Sequence, residues 1–208
     1  MARVGVVHNT LDFQGGADAV CLVTCEALLR DHEVTLFTIG ETDPAVLADR
    51  FHADLSDLEV RTPPVNKGIA RTLAVLGPTL GPQLAFRSVL VSRYFRFYAH
   101  EFDLAVTTAN EMDLPEPSVQ YLHDPQYHLG RLGEANQGRL NGLWSWIGGP
   151  DMETLQNATL LANSAWTADR VAEIYGVRPA VIHPPVDPIP GGVPWENREQ
   201  GIVVVGRI

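Results

Sequence analysis

Short apolar runs alternate with helical patterns along most of this chain, and no other feature constrains its fold as much. Parallel strands need a crossover connection, usually a helix, so this alternation is typical of βαβ units. The apolar runs predict strands at Val4–His8, Val34–Phe37, Leu58–Arg61, Leu104–Thr107, Val119–Leu122, Leu160–Ala162 and Val181–Ile182. The periodic segments predict helices at Ala17–Leu29, Pro44–Phe51, Gly68–Leu76, Gln83–Ala99, within Leu140–Gln156, and at Thr167–Tyr175. The sequence therefore predicts an α/β fold, a Rossmann-like parallel sheet with helices on both faces.

The composition changes after residue 183. Residues 184–201 hold five prolines and three glycines, which predicts an extended interdomain linker. Residues 202–208 resume with β-branched apolar residues and Gly206, which predicts the first strand of a truncated second α/β domain. The alternative is a last strand that pairs back onto the same sheet. In the first interpretation, residues 1–183 form the N-terminal domain.

Charge is unevenly distributed along the chain. Its 15 basic and 25 acidic side chains give a formal net charge of −10, which argues against nucleic acid as a partner. Between Val60 and His100, however, there is no Asp or Glu. Such a basic segment predicts contact with an anionic lipid or acceptor, through Lys67, Arg71, Arg87, Arg93 and Arg96. The alternative is that the largely apolar helix at Gln83–Ala99 packs in the core.

Two cysteines lie four residues apart, at Cys21 and Cys25. This spacing fits neither a disulfide framework nor a zinc ribbon, and it predicts buried apolar packing in a reducing compartment. The N-terminus shows no signal-peptide pattern, so we expect a cytoplasmic protein, with peripheral attachment to the membrane face as an extension.

Polar residues follow five of the predicted strands, where ligands bind in open parallel sheets. They are His8 and Asn9, Thr107 and Thr108, His123 and Asp124, Asn163 and Ser164, and His183. Gly15 and Gly16 open the first helix, where bare backbone N–H groups can receive a phosphate. The alternative is a flexible loop that ends in a turn. The glycines lack the G-x-G-x-x-G spacing, which argues against NAD or FAD.

His123 is the strongest single candidate for chemistry. It lies in the run Tyr-Leu-His-Asp-Pro, where proline stiffens the loop behind a strand, and its imidazole can exchange a proton or hydrogen-bond a hydroxyl. His128 follows five residues later, so a metal site is an alternative, as is a metal hydrolase built on His8, His123 and His183. No carboxylate cluster with metal-ligand spacing accompanies them, and we expect no metal.

Taken together, these motifs resemble the N-terminal domain of a family-four glycosyltransferase of the GT-B fold. The motif Gly15–Val20 is similar to the family's Gly-Gly-Ala-Glu-Arg-Val, with Asp18 in place of Glu. The other motifs that carry the resemblance are Tyr121–Pro125, Leu161–Thr167, Val181–Asp187, which ends in Pro-Pro-Val-Asp, and Val203–Ile208, which is similar to the opening of the family's C-terminal domain.

The resemblance implies a retaining enzyme that transfers a hexose from a nucleotide-sugar to a lipid-linked or glycan acceptor, with no bound metal or other cofactor. It implies that Gly15 and Gly16 contact the donor diphosphate and that His123 lies beside the transferred sugar. The remaining cleft candidates, on the acceptor side, are His8, Asn9, Thr108, Asp124, Asn163, Ser164 and His183. The donor-binding domain is absent from the sequence, so we expect this chain to be inactive alone. A non-catalytic binding module is the alternative.

Overall fold

The computed structural model describes residues 1–64, 67–69, 71–73, 75, 83–128, 140–186 and 191–201. Its sheet has seven strands: β1 (Arg3–Val7), β2 (Glu33–Phe37), β3 (Glu59–Arg61), β4 (Leu104–Thr107), β5 (Ser118–Leu122), β6 (Thr159–Ala162) and β7 (Ala180–Val181). The helices are α1 (Gly16–Leu29), α2 (Pro44–Phe51), α3 (Leu84–Tyr98), α4 (Asn141–Gly148), α5 (Met152–Asn157) and α6 (Ala165–Tyr175). Short 3₁₀ turns occupy Ala99–Glu101 and Trp195–Asn197.

All neighbouring strands are parallel, in the order β3-β2-β1-β4-β5-β6-β7. The chain therefore builds outward from β1 to β3, then crosses back and builds outward from β4 on the other side. At their carboxyl ends, the chain leaves β1 and β4 in opposite directions. This topological switch point opens a crevice between the ends of the two strands. The predicted Rossmann-like α/β fold is confirmed.

The two faces of the sheet carry separate cores. Val4 and Val6 pack with residues of α1 and α2 in one cluster, whereas Val7 packs with Phe95 of α3 in another. This separation follows from the two-residue period of a strand, which sends alternate side chains to opposite faces. Gly5 faces Phe95, and a Cβ there would lie 2.4 Å from the Phe95 ring. The close packing of α3 on β1 thus requires glycine at this position.

Local signals set the helix ends. Asp43 accepts a hydrogen bond from Ala45 N–H at 2.9 Å before Pro44 begins α2, and Ser164 accepts one from Thr167 N–H at 3.2 Å before α6. Gly176 ends α6 with φ +75°, in the left-handed region that favours glycine. The single helical region predicted within Leu140–Gln156 is divided into α4 and α5, because Pro150 between them cannot continue a helix.

The described part of the predicted helix at Gly68–Leu76 is helical, and its end lies outside the described residues. Residues 184–186 and 191–201 are exposed, while the strand predicted at 202–208 lies outside the described residues, so the domain boundaries stay a prediction. Among the helices that the structure describes, none combines the length and apolarity needed to span a membrane.

Side-chain truncation at a buried and at an exposed position of α2 should have different effects on the free energy of unfolding. Leu47 of α2 is 1% exposed, whereas its neighbour Val46 is 65% exposed. We expect Leu47→Ala to lower the free energy of unfolding by about 2–4 kcal/mol because it leaves a cavity, and Val46→Ala to change it by at most about 0.5 kcal/mol. Urea unfolding measures both values. Equal losses for the two variants would contradict the packing of α2 on the sheet.

Candidate functional site

The polar strand-end residues converge on the crevice beside β1 and β4. His8 follows β1 and Thr108 follows β4, and the His8 Nδ1 atom lies 2.9 Å from Thr108 Oγ1. His123 follows β5, and its Nε2 atom lies 3.2 Å from the Thr108 carbonyl oxygen. The parallel register places these strand ends side by side, which is why residues about a hundred positions apart in the chain meet.

The glycine loop forms the N-terminal end of α1. Gly15 caps the helix in an extended conformation, and its N–H donates to Asp18 Oδ2 at 2.8 Å. Gly16 is exposed, and a Cβ at this position would meet no described atom within 4 Å. The first backbone N–H groups of a helix have no partner within it, and the helix dipole favours an anion there. This end of α1 can therefore receive a phosphate.

His8 is buried, with 1% of its surface exposed, and both ring nitrogens are hydrogen-bonded. Its Nε2 atom lies 3.0 Å from Asp18 Oδ1. Burial acts to lower the pKa of His8, but adjacent Cys21 and the Asp18 carboxylate outweigh it and raise this pKa to about 10. The expectation that His8 lines the acceptor cleft needs correction, because the side chain lies beneath the surface.

His123 is partly buried, and its tautomer is set by its partner. The Thr108 carbonyl can only accept, so the Nε2–H of His123 donates to it and Nδ1 carries the lone pair. Among the described residues, none is hydrogen-bonded to Nδ1. Burial lowers the pKa of His123, so the ring is neutral at neutral pH. Such an imidazole can accept a hydrogen bond from a ligand hydroxyl.

Two residues that we did not single out in the sequence, Asn110 and Glu111, hold the loop that carries His123. Asn110 Oδ1 accepts from the N–H groups of His123 and Asp124 at 2.7 and 2.9 Å. Glu111 Oε1 accepts from those of Gln126 and Tyr127 at 2.6 and 2.8 Å. The intervening residue is proline and has no N–H, so every backbone donor from 123 to 127 is satisfied by this pair.

A sequence signal for this pair exists but is weak. Asn110 has φ +68°, and asparagine tolerates the left-handed region better than most residues. An Asn shortly after a strand end is therefore a candidate turn residue, although its partners cannot be read from the sequence. Glu111 is fully buried, and burial raises its pKa despite three hydrogen bonds to Oε1.

The remaining cleft candidates divide into two groups. Asn163 Nδ2 donates to the His123 carbonyl at 3.2 Å, and His183 Nδ1 lies 3.1 Å from the Asn163 carbonyl, so these residues join the site. Asp124 is exposed beside them. Ser164 caps α6, and Asn9 is buried with its Nδ2 donating to Ser88 Oγ at 3.3 Å, so the structure gives both residues structural partners.

The basic residues also divide. Arg87 is 6% exposed and donates to Thr10 Oγ1, Asp12 Oδ2 and the Ile39 carbonyl at 3.0–3.4 Å. The prediction of a lipid contact for Arg87 is wrong, because its side chain lies inside the protein. Lys67, Arg71, Arg93 and Arg96 are exposed. Arg93 donates to the Ile147 carbonyl, and Arg96 pairs with Asp113.

Cys21 and Cys25 are buried and form no disulfide, as the spacing predicts, but Cys21 is also hydrogen-bonded to His8 and so is not purely apolar packing. Within the described ranges, no group of three His, Cys, Asp or Glu side chains could hold a metal ion. Both ring nitrogens of His8 already have partners, so His8 does not fit the metal hydrolase alternative.

Comparison with known proteins leaves the family open. No family model matches the chain, and no curated protein sequence matches it. A search of solved structures finds similarity to HepE (Alr3699) of Anabaena, crystallised in complex with UDP and glucose. The two chains are 17% identical with a TM-score of 0.46, and the match covers 90% of this chain and 45% of HepE. This chain thus corresponds to less than half of the length of HepE.

The hydrogen bonds to Asn110 predict how firmly the His123 loop is held. Asn110→Gly keeps the left-handed backbone but removes the acceptor, so we expect the amides of His123 and Asp124 to exchange with solvent about fivefold faster or more, at roughly 1 kcal/mol per hydrogen bond. Asn110→Asp keeps an acceptor oxygen and is the matched control. Hydrogen exchange followed by NMR measures both variants. Unchanged protection in the glycine variant would show that Asn110 does not hold this loop.

Proposed function

We propose that this chain is the acceptor-side domain of a retaining glycosyltransferase of the GT-B type, similar to family four. The observation that carries the proposal is that the N-terminal end of α1 and the partly buried His123 are joined by one continuous set of contacts at the switch point. An anion-binding helix end beside an imidazole matches the needs of a nucleotide-sugar, which presents a diphosphate next to a sugar ring.

The proposed roles follow from the chemistry of each group. The N-terminal end of α1 at Gly15 and Gly16 would bind the donor diphosphate, where the helix dipole favours negative charge. Because the Gly15 N–H donates to Asp18, the backbone donors for the diphosphate would begin at Gly16. His123 would accept a hydrogen bond at Nδ1 from a hydroxyl of the transferred hexose and orient it. A second domain would supply the other half of the donor site, and neither step needs a metal ion or another cofactor.

We further propose a lipid-linked or other anionic acceptor, with the domain attached peripherally to the cytoplasmic membrane face. Lys67 and Arg71 are exposed. Arg71 forms a surface ion pair with Glu41 at 3.4 Å, and such exposed pairs contribute little to stability. Val75 and Phe97 are exposed apolar side chains within the basic segment, and Trp146 of α4 is 84% exposed. Basic and aromatic side chains together suit an anionic membrane surface.

Removal of the His123 ring should impair sugar transfer. We expect His123→Ala to lower kcat/KM about 100-fold or more, because a positioned hydrogen-bonding group at the reacting sugar contributes on this scale. The assay uses the complete gene product with candidate nucleotide-sugars, and His100→Ala, a change at an exposed histidine, is the control. Full transfer activity in His123→Ala would remove His123 from the site. If the unaltered gene product transfers no sugar, whether or not it binds a nucleotide-sugar, the result would favour the alternative of a non-catalytic binding module.

Membrane contact is tested separately with the 208-residue chain. We expect it to float with vesicles that contain phosphatidylglycerol, less at high salt, and not with neutral vesicles. Lys67→Glu combined with Arg71→Glu should weaken this binding about tenfold or more, at about 1 kcal/mol for each basic residue. Arg30→Glu, at the far end of α1, is the matched control. Binding that does not depend on anionic lipid would contradict this part of the proposal.

A further inference from the structure

A buried carboxylate lies directly beneath the glycine loop. Asp18 is 2% exposed, and its two oxygens have different partners: Oδ2 accepts from Gly15 N–H at 2.8 Å, and Oδ1 lies 3.0 Å from His8 Nε2. One side chain thus ties Gly15, at the start of α1, to a buried histidine. The contact with Gly15 is the helix cap that an acidic residue at this position commonly makes, and the contact with His8 pairs the second oxygen, because burying an unpaired carboxylate is costly.

The partners of His8 suit a positively charged ring. Its Nε2 atom faces a carboxylate oxygen, which can only accept, and its Nδ1 atom faces the Thr108 hydroxyl, which can accept as well. Cys21 adjoins the ring from α1, with Cys25 one turn further along the helix. Against the effect of burial, Cys21 and then Asp18 raise the pKa of His8. Asp18 is then neutralised locally, and the negative charge in the first turn of α1 is directed inward, away from the open face of the loop.

Thr108 connects this pair to His123. Its hydroxyl contacts His8, and its carbonyl accepts from His123 Nε2–H. The two histidines are therefore held by one residue, and each influences the charge of the other: a positive His8 disfavours protonation of His123, while Asp18 favours it.

We propose that the Asp18–His8 pair is a positioning element of the site, in which Asp18 fixes the Gly15 end of the loop and a positively charged His8, held between Asp18 and Thr108, adds to the effect of burial in favouring the neutral ring of His123. The roles of loop and ring rest on the proposed glycosyltransferase function, whereas the charge states do not. Neither residue touches the donor. They act through the loop and through His123.

The decisive experiment is a pH titration of the histidine rings of the 208-residue chain by nitrogen-15 NMR. We expect His8 to show both ring nitrogens protonated at pH 7 and above, and His123 to be neutral with its proton on Nε2. In His8→Gln, we expect the midpoint of His123 to rise by roughly half a pH unit or more, since a nearby like charge is lost. A neutral His8 in the unaltered chain would overturn the proposal without any variant.

Controls separate charge from folding. His100→Gln makes the same chemical change on the surface and should leave the His123 midpoint in place. Asp18→Asn offers one acceptor oxygen where two are needed, so the Gly15 amide should exchange faster while amides in β1 keep their protection. An unmoved His123 midpoint in a folded His8→Gln chain, or unchanged Gly15 exchange in Asp18→Asn, would each contradict the positioning role.

The same variants in the complete gene product test the link to activity. We expect His8→Gln to shift the acidic limb of the kcat/KM profile to higher pH, a change that loss of stability alone does not produce. If no sugar is transferred, the proposed function fails while the NMR result stands. If sugar is transferred with an unshifted acidic limb, the positioning role fails and the function remains.

Discussion

The hydrogen bonds of the Asp18 carboxylate determine much of the geometry of this site. A buried carboxylate is stabilised where its oxygens are matched by donors, and Asp18 finds them in Gly15 N–H and His8. This requirement ties the start of α1 to the end of β1, although the eight residues 8–15 separate the two elements. The glycine loop is thus held from below through the Gly15 N–H, while Gly16 is exposed.

A similar arrangement recurs on the other side of the crevice. The loop from His123 to Tyr127 has no regular structure of its own, yet Asn110 and Glu111 accept from its backbone donors. Loop backbone left without partners in a partly buried place would cost several kcal/mol in total, at about 1–3 kcal/mol for each group. His123 therefore lies on a fixed support, and its ring is further held by the Thr108 carbonyl and by a T-shaped contact with the Tyr121 ring.

The basic segment shows why charge in a sequence does not by itself define a surface. Arg87 lies on the same helix as exposed Arg93 and Arg96, but its guanidinium joins the loops that follow β1 and β2 by contacting Thr10, Asp12 and the Ile39 carbonyl. Asp12 completes this junction by accepting from Glu41 and Thr42 N–H, which outweighs burial and lowers the pKa of its carboxyl. Position on the helix, rather than residue type, separates the buried arginine from the exposed ones.

The sequence by itself determined the parallel sheet, because strand and helix periodicities are local and differ clearly; most predicted boundaries lie within one or two residues of the observed ones. It also identified the residues at the strand ends, including His123, Thr108 and the glycine loop. Only the tertiary structure decided which of them are accessible. His8 and Arg87 are buried, and Asn110 and Glu111 became recognisable as supports, because these roles depend on contacts between residues distant in the chain. Local sequence patterns do not show such contacts, because the contacts form only when neighbouring strands pair in a particular register.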